Sequence, residues 1–343
     1  MRIILCKLRS SDSAHVVLNN YCKIQKGVKT MEQGKKDLII VGSGPAGLSA
    51  AVYAKRAGLD LLVLEKNPLS GGQVLNTYEV DNYLGMPGIG GFEMGMQFRQ
   101  HADRLGVAFE EAFVSEIRRV KDSFYIEAEG KSYEAATVII ATGAHHAKLN
   151  VPGEEELAGM GVSYCATCDG AFFKGKTVAV VGGGDVALED AIYLSRLCEK
   201  VYLIHRRGEF RGAKILQEQV KSLSNIEILY HHTVEKITGE DMVEKIILNN
   251  SEKDEKISID VSGVFIAVGI HPETELLQNL IDLDPSGYVV APESTITGLP
   301  GLFVAGDIRK KPIRQIVTAV ADGANAAVSA EKYCEELRSI KKF

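Results

Sequence analysis

The 343-residue chain lacks several features that would assign it to other classes of protein. No apolar run approaches the roughly 18 residues that a membrane-spanning helix requires. Acidic and basic residues are interspersed and the formal net charge is −6, so no broad cationic surface is predicted. The six cysteines are mostly isolated and do not indicate a disulphide framework. We therefore expect a cytoplasmic protein with neither nucleic-acid nor membrane partners.

The first 36 residues show no clear hydrophobic periodicity and are lysine-rich towards their end. We interpret residues 1–36 as a disordered N-terminal extension, and Met31 as an alternative start. A transit peptide is the competing interpretation because Arg2, Arg9 and several serines lie here. Asp12 and the weak amphipathicity argue against it, and no function is assigned to this segment.

Chain length and glycine content favour two nucleotide-binding domains. A chain of 343 residues exceeds what one hydrophobic core usually organises. Glycine occurs 34 times, above the average share of roughly 7%. Many of these glycines follow apolar runs, where the backbone must come close to a ligand or to another element.

A first nucleotide-binding unit is predicted from an apolar run at residues 38–41, which is typical of a parallel strand covered on both faces. A glycine-rich turn, a helix from 48 to 57 and a strand at 61–64 follow, and Glu65 ends that strand. The helix N-terminus attracts a pyrophosphate, and the acid accepts ribose hydroxyls. The predicted ligands of this dinucleotide are Gly42, Gly44, Pro45, Ala46, Gly47 and Glu65.

The same pattern returns later in the chain, with a strand at 177–181, a glycine-rich turn at 182–187, a helix through Arg196 and a strand at 201–204. This repetition indicates an internal duplication. Alanine at the last fingerprint position is permitted, because that position needs only a small side chain.

The second unit ends in basic residues where the first has an acid. Guanidinium groups bind a 2′-phosphate that an acid would repel, so this site is predicted to take NADPH rather than NADH. A solvated arginine surface is the alternative interpretation. The predicted NADPH-binding residues are Gly182, Gly184, Asp185, Val186, His205, Arg206, Arg207 and Arg211.

Cys165 and Cys168 lie between the two units and are separated by two residues. This spacing allows a small disulphide and commonly lowers the pKa of one thiol, which favours redox activity. A zinc site is disfavoured because no second close cysteine pair exists and the histidines at 145–146 are poor substitutes. Asp169 is predicted either to shuttle a proton for the dithiol or to cap a helical turn.

With these motifs together, the chain resembles the low-molecular-weight thioredoxin reductases over roughly residues 37–338. The stretch at 165–170 is similar to the redox centre of that family, and the arginine cluster is similar to its NADPH motif. The resemblance implies that Cys168 faces a flavin, Cys165 attacks the partner disulphide and Asp169 acts as acid or base. Residues implied to bind FAD, besides the first turn and Glu65, are Gly72, Gln73, Gly306, Asp307, Arg314 and Gln315.

The resemblance also implies an α/β fold with two Rossmann-like domains and a homodimer. The FAD domain is split into residues 37–147 and 272–343, and an NADPH domain with the cysteine pair is inserted at 148–271. A domain rotation about crossovers near 147 and 271 is expected, because the disulphide and the nicotinamide must reach the flavin in turn. Val186 departs from the family, where a hydroxyl residue is frequent, which predicts weaker contact with the pyrophosphate.

The hypothesis from sequence is therefore an enzyme that passes electrons from NADPH through FAD to the cysteine pair and on to thioredoxin. A dithiol oxidase is the first alternative, although the arginine cluster argues against it. A redox-sensing flavoprotein without turnover is the second. The flavoprotein subunit of alkyl hydroperoxide reductase is similar in its core, but the chain has no room for its extra N-terminal domains. The sequence does not identify the physiological acceptor.

Overall fold

The computed structural model describes residues 34–77, 79–253 and 255–340. The predictions for residues 1–33, including the alternative start at Met31, lie outside them. In the described part, two mainly parallel sheets are each covered on both faces. The predicted α/β fold class is confirmed.

The larger sheet contains seven strands within the described residues. They are β1 (Lys36–Val41), β2 (Leu61–Glu65), β3 (Ala108–Glu111), β4 (Val114–Val120), β5 (Ser123–Ala128), β6 (Lys131–Ile140) and β17 (Leu302–Val304). Their order is β3–β2–β1–β6–β5–β4, and β17 also pairs with β6 in parallel. The C-terminal part of the chain therefore returns to the sheet that the N-terminal part forms.

The strands of the second parallel sheet are β8 (Val162–Ser163), β9 (Thr177–Gly182), β10 (Lys200–His205), β11 (Ile226–Tyr230) and β15 (Gly263–Ala267). Their order is β11–β10–β9–β15–β8. A three-stranded antiparallel sheet packs beside it, formed by β12 (His232–Thr238), β13 (Lys245–Asn250) and β14 (Glu255–Asp260). Two short strands, β7 (Ala144–His146) and β16 (Ile270–Pro272), pair as an antiparallel ribbon.

Helices cover the sheets, with short 3₁₀ turns at residues 72–76, 170–173, 275–277 and 306–308. The α-helices are α1 (Pro45–Arg56), α2 (Gly91–Arg104), α3 (Ala166–Asp169), α4 (Asp185–Ser195), α5 (Lys214–Ser222) and α6 (Ile316–Ile340). Helices α1 and α6 pack closely, since a Cβ atom on Gly323 would lie 2.1 Å from the carbonyl oxygen of Ala46. None of the described helices is both long and apolar enough to cross a bilayer.

The uninterrupted apolar strands follow from burial on both faces. In β1, Leu38 and Ile40 face one core while Ile39 and Val41 face another, because successive side chains of a strand point to opposite sides. Strand β9 divides its side chains in the same way between two further cores. Such strands cannot show polar alternation, so the continuous apolar runs correctly indicate central strands.

The start of one helix differs from the sequence-based expectation. Helix α1 begins at Pro45 rather than at residue 48, because proline at the first helical position lets the last fingerprint residues enter the first turn. The two parallel sheets draw their strands from the predicted segments, but the domain boundaries at 147 and 271 stay a prediction. Both positions lie at the β7–β16 ribbon.

Candidate functional site

The first glycine-rich turn connects β1 to α1 at the carboxyl edge of the larger sheet. Gly42 has φ 101°, a conformation that favours glycine, and a Cβ atom on it would lie 2.4 Å from the carbonyl oxygen of Ala141. A Cβ atom on Gly47 would lie 1.9 Å from the Gly42 carbonyl oxygen. Gly44 differs, because its Cβ position has only Gly72 within 4 Å, at 3.9 Å. The Gly44 position in front of the helix N-terminus is therefore uncrowded, while a Cβ atom on Gly72 would lie 3.2 Å from the Gly44 Cα atom.

Glu65 binds the turn itself. Its Oε2 atom accepts hydrogen bonds from the Ser43 N–H at 2.7 Å and the Ser43 hydroxyl at 2.8 Å. Its Oε1 atom accepts from the N–H and the side-chain amide of Asn67 at 2.9 and 3.1 Å. These four contacts fill the acceptor capacity of a carboxylate. A ribose hydroxyl at Glu65 would therefore replace one of these donors, and exposed Asn67 is the more accessible one.

Asp307 follows β17 in a 3₁₀ turn and lies close to the first fingerprint, since a Cβ atom on Gly306 would be 2.9 Å from that of Ala46. Among the described residues, the buried Oδ1 atom of Asp307 has no hydrogen-bond partner. Burial raises the pKa of this carboxyl, and Lys311 and Arg314 oppose the rise. An orphaned acceptor at this depth fits a ligand that supplies a hydroxyl group.

Asp322 of α6 holds the segment that carries Asp307. Its carboxylate accepts the Gly306 N–H at 3.0 Å and pairs with the Arg309 guanidinium at 2.8 Å and with the Lys311 ammonium. The Asp322 and Lys311 side chains are both 5% exposed. A buried carboxylate requires such partners, because an unpaired charge away from water is costly.

Arg314 and Gln73 lie near the β7–β16 ribbon. The Gln73 side chain donates to the Ala144 carbonyl at 2.6 Å. The guanidinium carbon of Arg314 lies 4.2 Å from the centre of the Tyr288 ring, a cation–π contact. Its buried Nε atom has no hydrogen-bond partner among the described residues.

Cys165 and Cys168 form a disulphide at the N-terminus of α3. The Gln315 side-chain amide nitrogen lies 3.8 Å from the Cys165 sulphur and 3.7 Å from the Cys168 sulphur, and 3.3 Å from the Thr167 hydroxyl. Its amide oxygen accepts a hydrogen bond from the Asn82 side chain at 3.1 Å. The structure thus brings the cysteine pair, from the middle of the chain, against the C-terminal segment that carries Arg314 and Gln315.

Asp169 lies directly after the pair, and its Oδ2 atom accepts a hydrogen bond from the Ser163 hydroxyl at 2.6 Å. Burial raises the pKa of the Asp169 carboxyl, and the Ser163 hydrogen bond opposes this rise. A carboxyl with a raised pKa retains its proton at higher pH than an exposed aspartate, which suits a proton donor. No cap hydrogen bond from the Asp169 side chain accompanies the next 3₁₀ turn.

The second glycine-rich turn is braced by the segment that follows β10. The buried His205 ring fills the space beside Gly183, where a Cβ atom would lie 2.2 Å from it, and its Nε2 atom lies 3.0 Å from the Glu209 carbonyl oxygen. The Arg211 N–H donates to the Gly183 carbonyl at 2.8 Å, and Asp185 accepts the Ala213 N–H at 2.7 Å. His205 and Asp185 therefore fix the turn on which the arginines stand.

Arg206, Arg207 and Arg211 are all exposed at the carboxyl edge of the second sheet. Within the part of the chain that the structure describes, their guanidinium groups have no hydrogen-bonded or ion-paired partner. Gly184 and Val186 border the same edge; no atom lies within 4 Å of a Cβ position on Gly184, and Val186 is half exposed. Unneutralised arginines beside an open helix N-terminus form a cationic surface that suits phosphate groups.

Comparison with known proteins classifies this arrangement. The profile of the pyridine nucleotide-disulphide oxidoreductases matches residues 36–323. The chain belongs to the pyridine nucleotide-disulphide oxidoreductase family. Among the described residues, no group of three His, Cys, Asp or Glu side chains is placed to hold a metal ion.

Within that family the chain is similar to thioredoxin reductases. It is 44% identical to the thioredoxin reductase of Listeria innocua over 88% of this chain and 95% of that protein. The crystal structure of thioredoxin reductase from Streptococcus pyogenes superposes with a TM-score of 0.86 at 40% identity, covering 88% of this chain and 99% of the other. The thioredoxin reductase of Lactococcus lactis, in an FR conformation, gives 0.60 at 39% identity, covering 88% and 100%.

These relatives confirm the predicted resemblance to the thioredoxin reductases and the predicted enzyme class, a disulphide oxidoreductase. The disulphide between Cys165 and Cys168 agrees with the redox pair expected from their spacing. Sequence reasoning missed several polar residues that support the site: Ser43, Asn67, Asn82, Ser163, Tyr288 and Asp322. Only Asp322 has a local signal, as a carboxylate in a helix segment that is otherwise apolar or small.

Proposed function

We propose that the chain is an NADPH-dependent flavoprotein that reduces the disulphide of thioredoxin. The observation that carries this proposal is the position of the Cys165–Cys168 disulphide against Gln315, beside the segment with the orphaned Asp307 carboxylate oxygen. A redox pair next to an open nucleotide site suits a route for electrons from a bound cofactor to a protein disulphide.

FAD fits the first site. The uncrowded position at Gly44, opposite Gly72, would admit a pyrophosphate, and the Oδ1 atom of Asp307 would accept a ribityl hydroxyl. Gly42, Pro45, Ala46 and Gly47 would shape the turn, and Glu65, Gln73, Gly306, Arg314 and Gln315 would complete the binding site. When bound, the flavin would supply two-electron chemistry between the nicotinamide and the disulphide.

NADPH fits the second site. Gly182, Gly184 and Val186 would border its pyrophosphate, and Arg206, Arg207 and Arg211 would bind the 2′-phosphate, with Asp185 and His205 as supports. Backbone N–H groups at the start of α4 compensate in part for the absent hydroxyl at Val186.

The thiol chemistry belongs to the cysteines. Reduction adds two electrons and two protons to the Cys165–Cys168 bond. The Cys165 thiolate then attacks the disulphide of thioredoxin and forms a mixed disulphide, and Cys168 attacks Cys165, which releases reduced thioredoxin and restores the starting bond. Asp169, with its raised pKa, would hold the proton that this exchange moves.

Delivery of electrons to thioredoxin requires the pair to leave its position at Gln315, so we include a rotation of the proposed domain 148–271 about the β7–β16 ribbon. The unequal overlap with the Streptococcus and Lactococcus structures, at nearly equal identity, supports rearrangement within such chains. A homodimer and a cytoplasmic location remain part of the proposal by family likeness.

The test is an assay with purified chain, FAD, NADPH or NADH, and thioredoxin. The protein should bind flavin, show a yellow absorbance and consume NADPH only with thioredoxin present. Cys165→Ser should lower thioredoxin turnover by at least about 1000-fold, since the attacking thiol is lost, yet NADPH should still bleach the flavin. The matched control is Cys198→Ser, a buried free cysteine.

Thioredoxin turnover that survives Cys165→Ser would refute the assigned thiol relay. Oxygen consumption driven by dithiols without NADPH would instead indicate an oxidase. Flavin binding without any NADPH consumption would indicate the redox-sensing alternative.

A further inference from the structure

A histidine lies beside the arginine cluster at the carboxyl edge of the second sheet. Strands β10 and β11 run parallel, and His205 is paired in register with Tyr230. The next residues, Arg206 and His231, therefore leave their strands at the same level. Because carboxyl ends of neighbouring parallel strands meet at one edge, His231 stands next to the proposed 2′-phosphate site.

The His231 backbone and ring both contact the arginine turn. Its N–H donates to the Arg207 carbonyl at 3.3 Å. A Cβ atom on Gly208 would lie 2.7 Å from the Nε2 atom of His231, so the imidazole packs directly on this glycine. Gly208 thus leaves room for a ring that a larger residue would displace.

The backbone at His231 is in the left-handed region, with φ 59°. For a residue other than glycine this conformation costs roughly 1–2 kcal/mol, although histidine tolerates it better than most. With this backbone conformation, the side chains of His231 and His232 have different surroundings. The His232 ring forms its contacts within its own sheet, with Nδ1 2.6 Å from the Tyr230 carbonyl oxygen and Nε2 3.4 Å from the Asn250 amide nitrogen.

The Nδ1 atom of His231 lies 3.3 Å from the Glu252 carboxylate, and this contact orients the ring. The Nε2 atom therefore lies on the side of the arginine turn, where it packs on Gly208. The side chain is one-third exposed, so part of the ring is accessible to a ligand bound at this turn.

We propose that His231 is a further specificity-determining residue, whose imidazole ring binds the 2′-phosphate together with the arginines and increases the preference for NADPH over NADH. This inference rests on the proposed function, and it adds a contact that the arginine motif does not contain.

The test uses His231→Asn, because asparagine also tolerates the left-handed backbone but lacks the imidazole ring. His232→Asn is the matched control. Calorimetry with 2′,5′-ADP and with 5′-AMP measures binding apart from catalysis, and initial rates with NADPH and NADH complete the comparison. We expect His231→Asn to weaken the binding of 2′,5′-ADP about three- to tenfold, with less than a twofold change for 5′-AMP.

Equal weakening of both ligands would show that His231 only supports the turn and would overturn the inference. An unchanged affinity for 2′,5′-ADP, or an effect of equal size in His232→Asn, would do the same. A wild-type protein that binds 2′,5′-ADP no better than 5′-AMP would overturn the proposed NADPH site itself. The wild-type measurement separates this failure from failure of the His231 inference alone.

Discussion

The two parallel sheets have the same arrangement but different chemistry at their edges. In each, a central strand is flanked by a βαβ partner on one side, β2 or β10, and by a later strand on the other, β6 or β15. Beyond these, β17 pairs with β6 and β8 pairs with β15, both in parallel. The segments after these outer strands differ, since β17 leads to Asp307 and β8 leads to the Cys165–Cys168 pair. The two sheets therefore match in the position of their outer strands, although β17 follows the other strands of its sheet in the chain and β8 precedes those of its own.

The acidic end of β2 and the basic end of β10 also differ in how their side chains are hydrogen-bonded. Glu65 accepts hydrogen bonds from Ser43 and Asn67, so the acid at the first edge is already held by neighbouring uncharged donors. Arg206, Arg207 and Arg211 have no such partners among the described residues, so the second edge keeps positive charge for a ligand. On the proposed function, one scaffold would carry two nucleotide preferences through a few side chains beyond its strands.

The sharpest test of this difference removes the arginines. Arg206→Ala combined with Arg207→Ala should lower kcat/KM for NADPH about 100-fold and change that for NADH by less than about threefold. Two charge-assisted hydrogen bonds of about 1.5–3 kcal/mol each, discounted for exposure, account for this size. Steady-state rates with both nucleotides measure it.

Arg196→Ala is the control, because this exposed arginine lies at the opposite end of α4 from the glycine turn. An equal loss for both nucleotides would show that the arginines support the fold rather than read the phosphate. In that case the two edges would not differ in nucleotide preference.

A smaller and reciprocal effect is expected from the open glycines. Gly44 and Gly184 both have extended backbone and room for a Cβ atom, so alanine at either should leave the melting temperature of the cofactor-free protein nearly unchanged. Gly44→Ala should weaken FAD binding about tenfold and spare NADPH, and Gly184→Ala should do the reverse, since overpacking costs about 1–3 kcal/mol. Flavin fluorescence and nucleotide titration measure both affinities.

Gly47→Ala is the comparison for this experiment, because a Cβ atom there would lie 1.9 Å from the Gly42 carbonyl oxygen and should destabilise the fold. If Gly44→Ala lost stability to the same extent, its open space would not be a ligand site. Loss of both affinities in either variant would contradict two independent sites.

The sequence predicted the parts of the site that depend on neighbouring residues. Apolar runs, glycine turns, the acid, the arginines and the cysteine pair each show in a short window, because strand, turn and helix follow one another locally. The contact of Gln315 with the disulphide joins residues far apart in the chain, and the Ser43–Glu65 bond depends on a particular rotamer. Such contacts arise only when the sheets pack, so no local pattern indicates them.

The weakest effect concerns the junction of the two units, where His146 of β7 stacks on Tyr164 with ring centres 5.3 Å apart. Burial, with His145 and Arg314 nearby, lowers the pKa of His146 from 6.5 to about 4. Between these values the unfolded chain binds a proton that the folded chain does not, so stability should fall as pH falls from about 6.5 to about 4. One pKa unit corresponds to about 1.4 kcal/mol, and remaining solvent access reduces the expected loss of unfolding free energy to about 1–2 kcal/mol.

Urea midpoints at pH 7 and pH 4.5 measure this loss of stability. The variant His146→Phe, which keeps a stacked ring, should reduce the difference between the two midpoints. The control variant at the exposed neighbour, His145→Gln, should leave that difference unchanged. An unchanged pH dependence in His146→Phe would show that this stack does not couple the junction to protonation.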